Sequence, residues 1–165
     1  LHKAVQWANE KKLLDPREKT WFGANDNATR SDLAVALYRL AGSPKVNLPA
    51  TSPYPDVKTT DPNYSAYIWA RQKGITYGWS DGKFHAEAGV SNATVTAFLY
   101  RYDGRKHVTV TGAPYTDVTV GSAFYREITW AKQHKLQVFP GSQYYPSALM
   151  SRGELAGFLM NYAGR

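Results

Sequence analysis

The chain has 165 residues, of which 43% are hydrophobic and 14% aromatic, enough to bury a core and too apolar for a disordered segment. It contains no Cys, which excludes disulfides, thiolate metal sites and cysteine nucleophiles, and no apolar run approaches the roughly 18 residues that span a membrane. Its formal net charge of +7 carries no Lys/Arg run and favours an acidic partner, whether nucleic acid, an anionic polymer or an anionic surface, with nucleic-acid binding resting on that charge alone.

The elements recur. Trp7-Ala8, Trp69-Ala70 and Trp130-Ala131 stand about 60 residues apart, and so do Thr29, Ser91 and Ser151, and Gly42, Gly104 and Gly164. Residues 1–43 read as a first unit that lacks its front end, because Leu1 stands directly at the start of a helical pattern, so the chain is expected to be part of something longer. Residues 54–104 and 115–164 read as a second and third unit, joined by connectors 44–53 and 105–114. Each unit predicts a short helix, a loop and a longer helix. In the third unit Phe124, Ile128 and Ala131 fall on one helical face, and the three Trp are expected in the core. The longer helices open on a hydroxyl N-cap, Thr29, Ser91 or Ser151. Asp32 and Glu154 follow their caps at capping-box spacing, which accounts for both, and a Gly closes each helix. In the second connector, Val108–Thr111 could form a short strand.

Between the helices, Gly78-Trp79-Ser80-Asp81-Gly82 is a turn-forming loop. It has too few oxygen ligands for a calcium loop. Trp79 could stack on a sugar face or pack into the core; Trp21 and Tyr144 or Tyr145 could play part of that role in the other units. His2, His85, His107 and His134 show no metal-ligand spacing and are expected at the surface. No Ser/His/Asp arrangement, Walker loop or HExxH motif is present. Glu18, Glu87 and Glu127 cannot be placed across a cleft as a glycosidase would need, so the chain reads as non-catalytic, without metal or cofactor.

The second unit, with YPDV, GWSDGKF and a helix ending FLYRYDG, resembles an S-layer homology repeat. The third, with YTDV and MSRGELAGFLMNYAG, and the first, with ATRSDLAVALYRLAG, resemble it as well. The resemblance implies a mainly α fold in which three helix-loop-helix repeats close into a pseudo-threefold bundle. It also implies a cell-surface anchor that binds a secondary cell-wall polymer, often pyruvylated, in grooves between repeats. A protein–protein or lattice-assembly module is the alternative.

Carried over by position, the family's binding Arg falls on Arg30 and Arg152. Each would sit in the first helical turn, where free N–H groups and the macrodipole attract anions and a guanidinium adds a bidentate grip on a carboxylate. Gly78, Trp79, Ser80 and Asp81, together with Asp32 and Glu154, are the further candidate ligand-binding residues of these grooves. Asn92 stands where the third Arg would be, so the second unit is expected to keep its scaffold and lack that grip. The acceptor pattern Asn92-Ala93-Thr94 is incidental, as is Asn27-Ala28-Thr29.

Overall fold

The structure, a computed structural model, describes residues 1–164 as six helices: α1 (His2–Glu10), α2 (Arg30–Leu40), α3 (Tyr64–Gln72), α4 (Asn92–Tyr102), α5 (Tyr125–Gln133) and α6 (Arg152–Ala163). The chain is mainly α; β structure among the described residues is limited to isolated bridges. The hydroxyl caps form where the sequence places them. Thr29, Ser91 and Ser151 accept the N–H of Asp32, Thr94 and Glu154, and the capping box closes at α2 and α6.

Local departures from expectation have local causes. Phe124 is the N-cap of α5, left-handed at φ 61°, so it leaves the apolar face on which Ile128 and Ala131 are buried. Residues 108–111 form no strand, because no neighbouring backbone ladder receives them. Val108 inserts into the core and Gln133 bonds the Thr109 carbonyl instead. Gly42 and Gly104 take positive φ, whereas Gly164 caps α6 at φ −88°.

The extensive helix contacts run between successive helix–loop–helix segments: α2 packs on α3, α4 on α5 and α6 on α1. Trp69 and Trp130 are buried in the central cluster with Leu33, Leu99 and Leu159, and Trp7 is partly buried against it.

The residues preceding the longer helices close a ring of backbone hydrogen bonds. Ala28 N–H donates to Met150 O (2.9 Å), Met150 N–H to Val90 O (2.8 Å) and Val90 N–H to Ala28 O (3.1 Å). The next amides continue it: Arg30 donates to Ala88 O, Asn92 to Ala148 O and Arg152 to Asp26 O, then Ser31 to Ala86 O, Ala93 to Pro146 O and Gly153 to Ala24 O. The first two N–H groups of each longer helix, which the sequence leaves free for an anion, are therefore occupied by carbonyls of a neighbouring loop.

Two side-chain devices hold these loops. Asp56 accepts the N–H of Phe84 and His85, each at 2.8 Å, and Asp117 accepts those of Tyr144 and Tyr145 at the same distance. Burial acts to raise the Asp56 pKa, but the two amide bonds and the nearby His85 outweigh it and hold the carboxyl below its ordinary range. The second device joins α6 to the first segment. Arg152, 1% exposed, donates from Nη1 to Asp32 Oδ1 at 2.6 Å, from Nε to Phe22 O at 3.2 Å and from Nη2 to Asp15 O. Asp32 is thus both the capping acid of α2 and the counter-ion of a buried Arg, and Arg17 approaches its other oxygen at 3.3 Å.

Removing one member of a buried pair strands the other. Arg152→Gln is expected to cost about 3–5 kcal/mol in denaturant unfolding, against about 1 kcal/mol for Glu154→Ala, which loses half of a capping box. Equal costs would show that the Arg152–Asp32 contact is not a clasp. For Asp56 the sign follows from the lowered pKa: its contribution is present above the unfolded value near 3.9 and is lost as pH falls through the folded one. Asp56→Ala is therefore expected to cost about 1 kcal/mol at neutral pH, with the difference from wild type shrinking in thermal melts below about pH 4; a pH-independent difference would contradict this.

Candidate ligand-binding groove

The first residues of α2, α4 and α6 send their side chains into the loop of the following segment, with α6 reaching back to the first. Arg30, 5% exposed, donates from Nε to Phe84 O at 2.8 Å and from Nη2 to Thr76 Oγ1 at 3.2 Å. Its guanidinium carbon lies 5.2 Å from the Phe84 ring centre, 5.5 Å from Phe98 and 5.9 Å from Trp79. Burial lowers the Arg30 pKa, partly opposed by Tyr54 and Asp56, but an Arg stays protonated in a protein. Two nitrogens are taken, and Nη1 has no hydrogen-bond partner among the described residues. Arg152, by contrast, has all three nitrogens engaged.

Asn92, 4% exposed, reproduces the reach without the charge, its Nδ2 donating to Tyr144 O (3.2 Å) and Tyr145 O (3.0 Å). Beside it, the Thr96 and Tyr144 hydroxyls meet at 2.5 Å. Burial raises the Tyr144 pKa, so this is a contact between neutral hydroxyls. Substituting Asn for the expected Arg thus leaves an uncharged junction, in which Asn92 Oδ1 is buried without a hydrogen-bond partner among the described residues.

The loop over Arg30 is built by local bonds. Gly78 N–H donates to Thr76 Oγ1 at 3.1 Å, Trp79 N–H to Lys83 O at 2.9 Å and Gly82 N–H to Trp79 O at 3.0 Å. Gly78 takes φ +84°, and a Cβ there would lie 2.5 Å from Lys83 O, so the turn requires Gly. Asp81 accepts Lys83 N–H and meets His85 Nε2 at 2.6 Å. The Lys83 amide and the His85 contact lower its pKa. Ser80 is exposed.

Trp79 is 48% exposed and stacks on His85 with ring centres 3.7 Å apart. The sequence identifies Trp79 but not His85, which reads only as a surface His. His85 occupies a left-handed position at φ 58°, as Tyr145 does at 53°, and its backbone is held by Asp56. The alternating Gly, Asp and aromatic residues of residues 78–85 were the available signal. Trp21 and Tyr145 are exposed, whereas Tyr144 is buried, so only the first two could meet a ligand.

The structure therefore brings together Arg30, Thr76, Gly78, Trp79, Asp81 and His85, whereas Arg152 and Asp32 bond each other and Asp32 and Glu154 cap α2 and α6. A guanidinium nitrogen with no hydrogen-bond partner among the described residues, near an exposed Trp ring, can hold an oxyanion while a sugar face rests on the ring. Among the described residues no group of three or more His, Asp or Glu is placed to hold a metal, and no helix is long and apolar enough to cross a membrane.

A comparison with curated proteins finds no match to the chain. A family model does match: residues 53–93, which hold Asp56, the Trp79 loop and Asn92, correspond to the S-layer homology domain, a module that generally anchors proteins to the cell wall by binding secondary cell-wall polymers.

Proposed function

We propose that all three helix–loop–helix segments are S-layer homology repeats about a pseudo-threefold axis, and that the chain anchors a larger exported protein to the cell envelope. Its ligand is an anionic, pyruvylated secondary cell-wall polysaccharide, bound without catalysis in the groove between the first and second repeats. The observation that carries this reading is the Arg30 guanidinium, buried among aromatic rings yet with one terminal nitrogen free of hydrogen-bond partners among the described residues. A ketal carboxylate takes that edge, and the attached ring lies against Trp79, with Gly78, Ser80, Asp81 and His85 forming the rim. Arg152, Asp32 and Glu154 serve the fold, and Asn92 leaves the second junction without a cation, so each chain binds at one groove.

Calorimetry with a purified polymer fragment carrying the ketal is the direct test. One fragment is expected per chain. Arg30→Gln should weaken binding by about tenfold, as loss of a charge-assisted hydrogen bond implies, and Trp79→Ala should weaken it by a similar factor. Removing the ketal should reproduce the Arg30→Gln loss, and the two losses should not add. Arg152→Gln, measured where it remains folded, should bind as wild type. Full affinity in Arg30→Gln would overturn the site. Absence of any binding by wild type, with concentration-dependent self-association in sedimentation, would favour an assembly module instead.

A further inference from the structure

At the other end of α4 lies a cleft of about 650 Å³ that the Arg30 groove does not include. Trp69, Tyr102 and Tyr162 form its aromatic wall, and Lys73, Arg101 and Arg105 its charged side. Arg101 donates from Nη1 to Ile75 O at 2.8 Å and Arg105 from Nη2 to Gly74 O at 2.6 Å, so both guanidinium groups are fixed in place by carbonyls. Neither of them, nor Lys73, forms an ion pair with a carboxylate among the described residues. Asp103 also lines the cleft, but its carboxylate is nearly buried, accepts the Tyr162 hydroxyl at 2.7 Å and lies 3.8 Å from Lys106, which leaves the three cations in excess. Burial, then the charge of Arg105, lowers the Arg101 pKa, while Glu127 acts the other way. Two like charges are thus held near one another with no carboxylate ion-paired to either among the described residues.

The chain itself shows what such a site accepts. Arg39 occupies in the last turn of α2 the place that Arg101 occupies in α4, each following a Tyr. It lines a comparable cleft of about 560 Å³, with Lys11 and Lys12. There the guanidinium is already filled: Asp15 takes it in two bonds, Nη1 to Oδ1 at 2.9 Å and Nη2 to Oδ2 at 3.2 Å. Asp15 is the second residue after core residue Leu13, and the second after the corresponding Ile75 is Tyr77, which has no acid to offer. One cleft pairs its Arg with a carboxylate of the chain, and among the described residues the other does not.

We propose that the Arg101 cleft is a second anion site, distinct from the Arg30 groove, which takes a carboxylate or phosphate borne on a sugar ring. The oxyanion occupies the place that Asp15 fills beside Arg39, and the ring lies along the aromatic wall.

The test is an NMR titration of the isotope-labelled chain with four probes: glucuronic acid, glucose 6-phosphate, glucose and inorganic phosphate. Either sugar anion should shift the Arg101 and Arg105 side-chain signals and the backbone amides of residues 101–105, and glucose should not. The tighter of the two identifies carboxylate or phosphate as the natural group, and weaker binding of inorganic phosphate shows that the ring contributes. Arg101→Gln should weaken the response by about tenfold or more. Asp15→Ser, which empties the Arg39 cleft, should create the same response at Arg39. Unshifted Arg101 and Arg105 signals with all probes, or an unchanged response in Arg101→Gln, would overturn the proposal. Because neither Arg101 nor Asp15 touches Arg30, failure here leaves the polymer-binding groove untouched, and failure there leaves this site untouched.

Discussion

A buried helix N-terminus needs a partner for each N–H group, and the whole molecule is arranged around meeting that demand. The three longer helices start at the centre, where Ala28, Val90 and Met150 donate in a closed ring and the following two amides of each helix donate to a neighbouring loop. Each helix thereby fixes the loop of another segment, and no segment can complete its own termini. The side chains at the first helical positions follow the same path. Arg30, Asn92 and Arg152 each bond carbonyls of the loop that their own backbone has just captured.

From that shared geometry three different electrostatic outcomes arise. At Arg152 the charge is cancelled by Asp32 and its last donors are spent on carbonyls, so the junction is a clasp. At Asn92 there is no charge to cancel, and a Tyr–Thr hydroxyl pair fills the space. At Arg30 no carboxylate forms an ion pair among the described residues, and the guanidinium is faced by aromatic rings instead. A buried cation with aromatic neighbours and a free edge is costly unless something anionic completes it, and that difference separates the groove from the other two junctions.

The hydroxyl caps, the capping acids and the identity of the Trp79 loop were legible in the sequence, because each depends on contacts within a few residues. The rest depends on partners far along the chain. Two similar motifs place Arg30 and Arg152 alike, and only the fold shows that Asp32, 120 residues away, consumes the second. The expectation of anion-attracting free amides failed for the same reason: the carbonyls that occupy them belong to other segments. Phe124 matched a helical period, yet its left-handed backbone puts it outside the helix. His85 carried no signal of its own, since its place under Trp79 is set by the Asp56 carboxylate through its backbone.

The sharpest measurement follows the two arginines in the same titration. On adding a pyruvylated cell-wall fragment, the Arg30 guanidinium and Trp79 indole signals in a nitrogen-resolved NMR spectrum are predicted to shift together, while those of Arg152 stay in place. Movement of the Arg152 signals with Arg30 unmoved, or no movement at either, would contradict the assignment of one Arg to the ligand and the other to the fold.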